Sequence, residues 1–246
     1  MSTSKREVVK AQRQRRKRQQ RMKTFVIIGV IGLILIALFI SPYIVNALRP
    51  VGAVTTITKI ERPLVDGRTM GDPNAPVVVE VFEDFQCPRC KDYSDTVEKS
   101  LIESDYITSG QVYYMFRHYP FIDQNSAGQE SHQAANASMC AAEQGAFWDY
   151  HDMLFVNWNG ENQGAFIDKR LIAFAESLAL NLEQFNTCFK DNKYESEINS
   201  DYDLGQRYGV NGTPAVFVNE TALTPGLVPG YDQLIQAIDA ALAGGG

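Results

Sequence analysis

The sequence predicts an α/β domain with roughly eighty residues of helix inserted between its strands, preceded by one N-terminal transmembrane helix. Three observations predict it. The apolar run at 77–82, rich in valine, has the composition of a buried strand and leads directly into Cys87-Pro88-Arg89-Cys90. Helical periodicity then occupies 131–208 before strand-forming residues resume at 215–218. Ahead of all this, a basic segment abuts a long uncharged stretch.

Residues 1–23 carry ten Lys or Arg against one Glu, so the remaining chain holds a net −15 within the total of −6. The 24 uncharged residues at 25–48 are long enough to span a bilayer of about 30 Å. We read 1–23 as a basic cytoplasmic segment and 24–48 as the anchor, because positive charge flanking a span stays inside. The catalytic part is then extracytoplasmic in a single-pass protein of the cell membrane. Val45-Asn46-Ala47 resembles a small-residue cleavage site, which leaves a cleaved signal peptide as the alternative. Basic arms also bind nucleic acid, but one set against an apolar span has a topological role, so no nucleic-acid partner is expected.

Residues 49–71 read as a linker containing Pro50, Pro63, Gly67 and Gly71, with a possible short edge strand at 54–58. Asp72-Pro73-Asn74-Ala75-Pro76 is a turn before the first strong strand, which opens a domain over 72–246. A second strand follows at 111–117. The helical insert, at about 122–208, divides into 134–143, 147–155, 168–178, 182–189 and 194–208. Strands at 215–218 and 221–223 and an amphipathic helix through Tyr231, Leu234, Ile235, Ile238 and Leu242 complete the domain, with a frayed glycine tail at 244–246.

The chemistry rests on the dithiol. Two cysteines three residues apart at a helix start can close a small disulfide with little backbone movement. The sulfur of Cys87 lies where free N–H groups and the helix dipole favour a thiolate. Pro88 suits the first helical turn, and the charge of Arg89 adds to thiolate stabilisation. Cys90 shares a helical stripe with Tyr93, Val97 and Leu101, so it points into the core. Cys87 is therefore the exposed, attacking sulfur and Cys90 the sheltered, resolving one.

A zinc site is the structural alternative, but zinc needs four ligands, and Cys140, Cys188, His118, His132 and His151 are scattered. No metal is expected. Cys140 and Cys188 read as a structural disulfide within the insert, in keeping with an even cysteine count in an oxidising compartment. A second redox pair is the alternative for them.

The strand at 77–82, the run Phe85-Gln86-Cys87-Pro88-Arg89-Cys90, the helical insert and the later Gly212-Thr213-Pro214 together resemble the DsbA-like branch of the thioredoxin superfamily, over about residues 71–243. Arg117-His118-Tyr119-Pro120-Phe121 and the segment 145–152 resemble parts of membrane-anchored bacterial members. The resemblance implies a thioredoxin-like fold and a thiol–disulfide oxidoreductase. It also implies a cis peptide before Pro214, with Thr213 and Pro214 against Cys87, where they offer backbone groups to an extended substrate. One place departs from that pattern: relatives often carry a buried acid six residues before the first cysteine, where this chain has Val81. Glu83 is a candidate substitute for handling the proton of Cys90, with His118 a further candidate; His118 and His151 otherwise read as structural histidines.

The implied function is an oxidase that donates the Cys87–Cys90 disulfide to thiols of exported proteins. It needs no organic cofactor, and a membrane reoxidase of DsbB or VKOR type restores it. A reductase using the same residues in reverse, and a membrane-anchored chaperone without redox turnover, are the rival readings.

Overall fold

The computed structural model describes residues 3–48, 50–125, 128–224 and 227–244, so Arg49 and the end of the glycine tail lie outside the described residues. The chain divides into two compact units, Met1–Pro50 and Val51–Gly246. The first is one helix, α1 (Thr3–Leu48), in which Arg16–Ser41 is long and apolar enough to cross a membrane.

The second unit is built on a six-stranded sheet of order β1-β2-β4-β3-β5-β6. Its strands are β1 (Val65–Asp66), β2 (Thr69–Met70), β3 (Val77–Glu83), β4 (Val112–His118), β5 (Ala215–Val218) and β6 (Thr221–Leu223). Only β3 and β4 run parallel, in register from Val77 opposite Val112 to Glu83 opposite His118. Their crossover contains α2 (Pro88–Tyr93), a π-helical stretch at Ser94–Glu98, α3 (Lys99–Ile102) and α4 (Asp105–Thr108). β3 is central and covered on both faces, by Val77, Val79 and Val81 on one and by Glu80 and Phe82 on the other. Alternation sends Val79 and Val81 into the main core and Phe82 to the opposite face with Tyr119 and Phe217.

The insert consists of α5 (Glu130–Ala142), α6 (Phe147–Val156), α7 (Asp168–Ser177), α8 (Leu182–Lys190) and α9 (Glu195–Arg207), all within a residue or a few of the sequence expectation. Cys140 on α5 and Cys188 on α8 form a disulfide that ties the insert to itself. Helix α9 crosses the far face of the sheet, where a Cβ on Gly205 would stand 2.7 Å from the Tyr119 ring. Helix α10 (Tyr231–Gly244) then packs its Leu234 and Ile238 into the main core.

Two expectations require correction. The stretch at 49–71 is more than a linker, since its β1–β2 hairpin extends the sheet by pairing Thr69 and Met70 with β4. Gly71 makes that join possible: at φ +97°, a Cβ would lie 2.4 Å from the Val112 carbonyl. The anticipated strand at 54–58 is absent among the described residues. Instead, the Asn157 side chain at the end of α6 satisfies Thr55, accepting from its N–H and donating to its carbonyl, each at 2.8 Å. With its backbone groups so engaged and Val54 and Ile57 packed on the core, this segment lies against α6 rather than at a sheet edge.

Candidate active site

The C-terminal end of β3 delivers the chain into a tight turn that ends at Cys87, which precedes Pro88 as the N-cap of α2. Buried Asp84 holds this turn. One of its oxygens accepts from the Gln86 N–H at 2.8 Å and the Ser131 hydroxyl at 2.6 Å, the other from the Ile122 N–H at 3.0 Å. The Asp84 carbonyl accepts from the Cys87 N–H at 2.9 Å. The insert grips the next residue, with the Trp158 indole donating to the Gln86 carbonyl at 2.7 Å and the Asn162 N–H to its side-chain oxygen at 2.6 Å. Burial pushes the Asp84 carboxyl up to about 7 despite these bonds.

The cysteines are free and are differentiated as expected, but Cys87 is not exposed. It is 5% accessible against 0% for Cys90, because the loop before β5 covers it. The Thr213–Pro214 peptide is cis, and the Cys87 thiol donates to the Thr213 carbonyl at 3.3 Å. The Thr213 hydroxyl is buried with no other partner and is directed to the sulfurs. Donors to its sulfur hold Cys87 down to about 6, the Cys90 thiol being the largest cause, followed by the Thr213 side chain and the N–H groups of Cys90 and Arg89, against an upward push from burial. Arg89 acts here through its backbone while its side chain is exposed, which corrects the expectation that its charge would do so. Cys90 is pushed well above the ordinary thiol range by burial and by its bonded, charged neighbour Cys87.

The carboxyl near the cysteines comes from Glu83 rather than from position 81. Val81 is buried in the apolar core, whereas Glu83 enters from the end of β3, where its carboxyl and the two cysteine sulfurs influence one another's protonation. Both of its oxygens are buried without a hydrogen-bond partner, and burial with Glu98 and Cys87 nearby raises it well above the usual carboxylate range. Glu80, on the opposite face, is instead paired with Arg117 at 2.5 Å.

Sequence reasoning missed Glu98 and the part taken by His151. The acceptor atoms of Glu83, Glu98 and His151 lie within 4.8 Å of one another, all buried. The Tyr114 hydroxyl donates to Glu98 at 3.0 Å, and His151 Nδ1 lies 2.9 Å from Asp152. Glu98 borders the Cys90–Tyr93–Val97–Leu101 stripe, and that was the available signal; the π-helical turn at Ser94–Glu98 brings it into the core. His118 is enclosed by Phe85, Phe116 and Phe147, and its Nε2 has no partner. Burial holds it well below the ordinary histidine range, and it is structural.

A thiol held low, a fully buried partner thiol three residues on, a buried carboxyl nearby and a cis proline facing the pair make an arrangement chemically suited to thiol–disulfide exchange. The thioredoxin family model matches residues 64–240, and the chain belongs to that family. It is 36% identical over 149 residues to the Na(+)/H(+) antiporter NhaA 3 of Salinispora tropica, covering 61% of this chain and 21% of the antiporter. The chain thus spans about a fifth of the length of that relative. It is 28% identical over 177 residues to the probable disulfide bond formation protein D of Bacillus anthracis, covering 71% of this chain and 78% of that one. The oxidised crystal structure of BdbD from Bacillus subtilis shares the fold, with a TM-score of 0.63 at 24% identity over 77% of this chain and all of that one.

Proposed function

We propose that this protein is a membrane-anchored thiol–disulfide oxidase that donates the Cys87–Cys90 disulfide to thiols of exported proteins. The observation that carries the reading is the opposite displacement of the two thiols, Cys87 down to about 6 and Cys90 well up. Stabilising the Cys87 thiolate stabilises the reduced protein and so makes the disulfide a stronger oxidant. The similarity to disulfide bond formation protein D supports the same direction.

A substrate thiolate attacks Cys87 Sγ, the Cys87–Cys90 bond breaks, and Cys90 leaves with the electron pair and takes a proton from Glu83. A second substrate thiolate then attacks the substrate sulfur of the mixed disulfide, releasing oxidised substrate and the Cys87 thiolate. Thr213 and Pro214 border Cys87 and offer the backbone edge along which an extended substrate adds. The redox group is the cysteine pair itself, without an organic cofactor. Reoxidation falls to a membrane protein of DsbB or VKOR type. The basic segment ahead of the apolar helix supports a cytoplasmic N-terminus and an extracytoplasmic catalytic domain.

The test is a pair of substitutions in the full chain. Cys87→Ser is expected to abolish disulfide transfer to a reduced, unfolded substrate protein, and retained transfer would refute the reading. Cys90→Ser is expected to accumulate substrates bound to Cys87, and their absence would point to a binding module instead.

A further inference from the structure

The Cys90 thiol carries a proton that the closed disulfide does not. That proton crosses between a fully buried sulfur and water in every turnover, and it does so while the front of the site is covered by substrate or by the reoxidising partner. Glu83 stands in a buried cluster with Glu98 and His151, their polar atoms all within 4.8 Å of one another. Glu98 also lines a cavity of about 390 Å³ on the other side, together with Arg62 and Asp152. The 51–62 segment contributes Thr56, Ile57, Thr58 and Ile60 to its wall.

We propose that the proton of Cys90 leaves by this rear route, from Glu83 through Glu98 and His151 into the cavity beside Arg62 and Asp152, and that the same route returns it. The inference rests on the exchange chemistry proposed above. His151 Nε2, 3.8 Å from Glu98, has no hydrogen-bond partner, while Nδ1 faces Asp152, so the ring stands between the buried acid and the cavity's acid. Arg62 closes the outer end, bidentate to Asp152 at 2.7 and 3.1 Å and 3.6 Å from Glu98. Tyr93 from α2 and Tyr114 from β4 also face the cluster, with Asp149 near Arg62 and His118 across the Phe116 ring, and Lys91, Asp95 and Lys99 are the further charged groups lining the cavity. Neither tyrosine replaces the acids as a carrier at neutral pH, since burial raises both phenols well above their ordinary range.

When the disulfide closes, Glu83 carboxylate takes the Cys90 proton and the Cys90 thiolate attacks Cys87 Sγ of the mixed disulfide. The partner sulfur departs as thiolate with the electrons of the broken bond, and the partner disulfide is the oxidant. Glu83 then passes its proton outward.

An aromatic disulfide, dithiobis(nitrobenzoate), resolves the steps in the full-length reduced protein held in detergent. The first thionitrobenzoate released reports attack by Cys87, and the second reports attack by Cys90 on the mixed disulfide. Glu98→Gln is expected to leave the first release unchanged, slow the second about tenfold and alter its pH dependence. His151→Gln is expected to act in the same direction. Val156→Trp, which fills the mouth of the cavity from an exposed residue, is expected to slow the second release alone. A wild-type second release with a wild-type pH profile in Glu98→Gln and His151→Gln overturns the relay, and slowing in those variants with none in Val156→Trp overturns the rear outlet. Glu83→Gln separates the layers: an unchanged second release there means that Glu83 itself is not the base, and the exchange reading fails at that earlier point.

Discussion

The Thr213 carbonyl accepts a hydrogen bond from the Cys87 thiol at 3.3 Å across 126 residues of sequence. Five helices leave the sheet after β4 and return to β5, so the insert is also what brings the two together. Because β5 pairs with β3, the loop carrying Thr213 arrives at the same sheet end from which β3 releases the cysteine turn. The contact covers the Cys87 sulfur, which is 5% accessible.

The held-down thiol gives the first prediction. Alkylation of Cys87 by iodoacetamide is expected to follow a titration with a midpoint near 6, fast above it and falling tenfold per pH unit below. Arg89→Ala is expected to leave that midpoint nearly unchanged, because the contribution of Arg89 is its backbone N–H. A midpoint in the ordinary thiol range would contradict the geometry.

Glu83→Gln retains the shape of the side chain but removes the base beside Cys90. Resolution of a mixed disulfide by Cys90 is expected to slow by about ten- to a hundredfold near neutral pH, while the alkylation rate of Cys87 stays within about twofold. Stopped-flow release of thionitrobenzoate measures the first and timed iodoacetamide labelling the second. Equal loss in both would mean that the acid serves the whole site rather than Cys90.

Asp84 predicts a pH dependence of stability. Its folded carboxyl titrates at about 7, above the unfolded value near 4, so the folded protein binds the proton more tightly in between. Its contribution to stability therefore declines as pH rises from about 4 to 7. Asp84→Asn mimics the protonated form, so urea unfolding is expected to show the variant losing more relative to wild type at pH 5 than at pH 8. A constant difference would show that the carboxyl does not titrate in this window.

The Cys140–Cys188 disulfide closes a span of 48 residues and in a chain-entropy treatment stabilises the fold by roughly 4 kcal/mol. A Cys140→Ala, Cys188→Ala double variant is expected to unfold at lower urea by up to that amount and still transfer disulfides below its transition. Loss of transfer in the folded variant would make the pair part of the redox path.

Much of this was legible because local pattern and chemistry coincide. The β-branched run of β3, the helical stripe behind Cys90 and the turn residues before Val77 each fix one element. What escaped depends on distant partners. Asn157 draws Thr55 out of any sheet, and Gly71 allows a two-residue strand to join β4, neither of which a propensity announces. Glu98 stands beside the helical stripe of Cys90, but its burial depends on the π-turn and on Arg62, which no local pattern announces. Glu83 was visible as a candidate, but its proximity to Cys90 required the geometry of the turn that Asp84 and Gln86 hold.

The most direct test of the account is the redox equilibrium of Cys87–Cys90 with glutathione, measured on the full-length protein in detergent with the Cys140→Ala, Cys188→Ala variant as control. A reduction potential well above the glutathione couple is predicted, so that the pair is reduced in an equimolar thiol–disulfide buffer. A potential well below it would contradict the oxidase reading and make the same site a reductant.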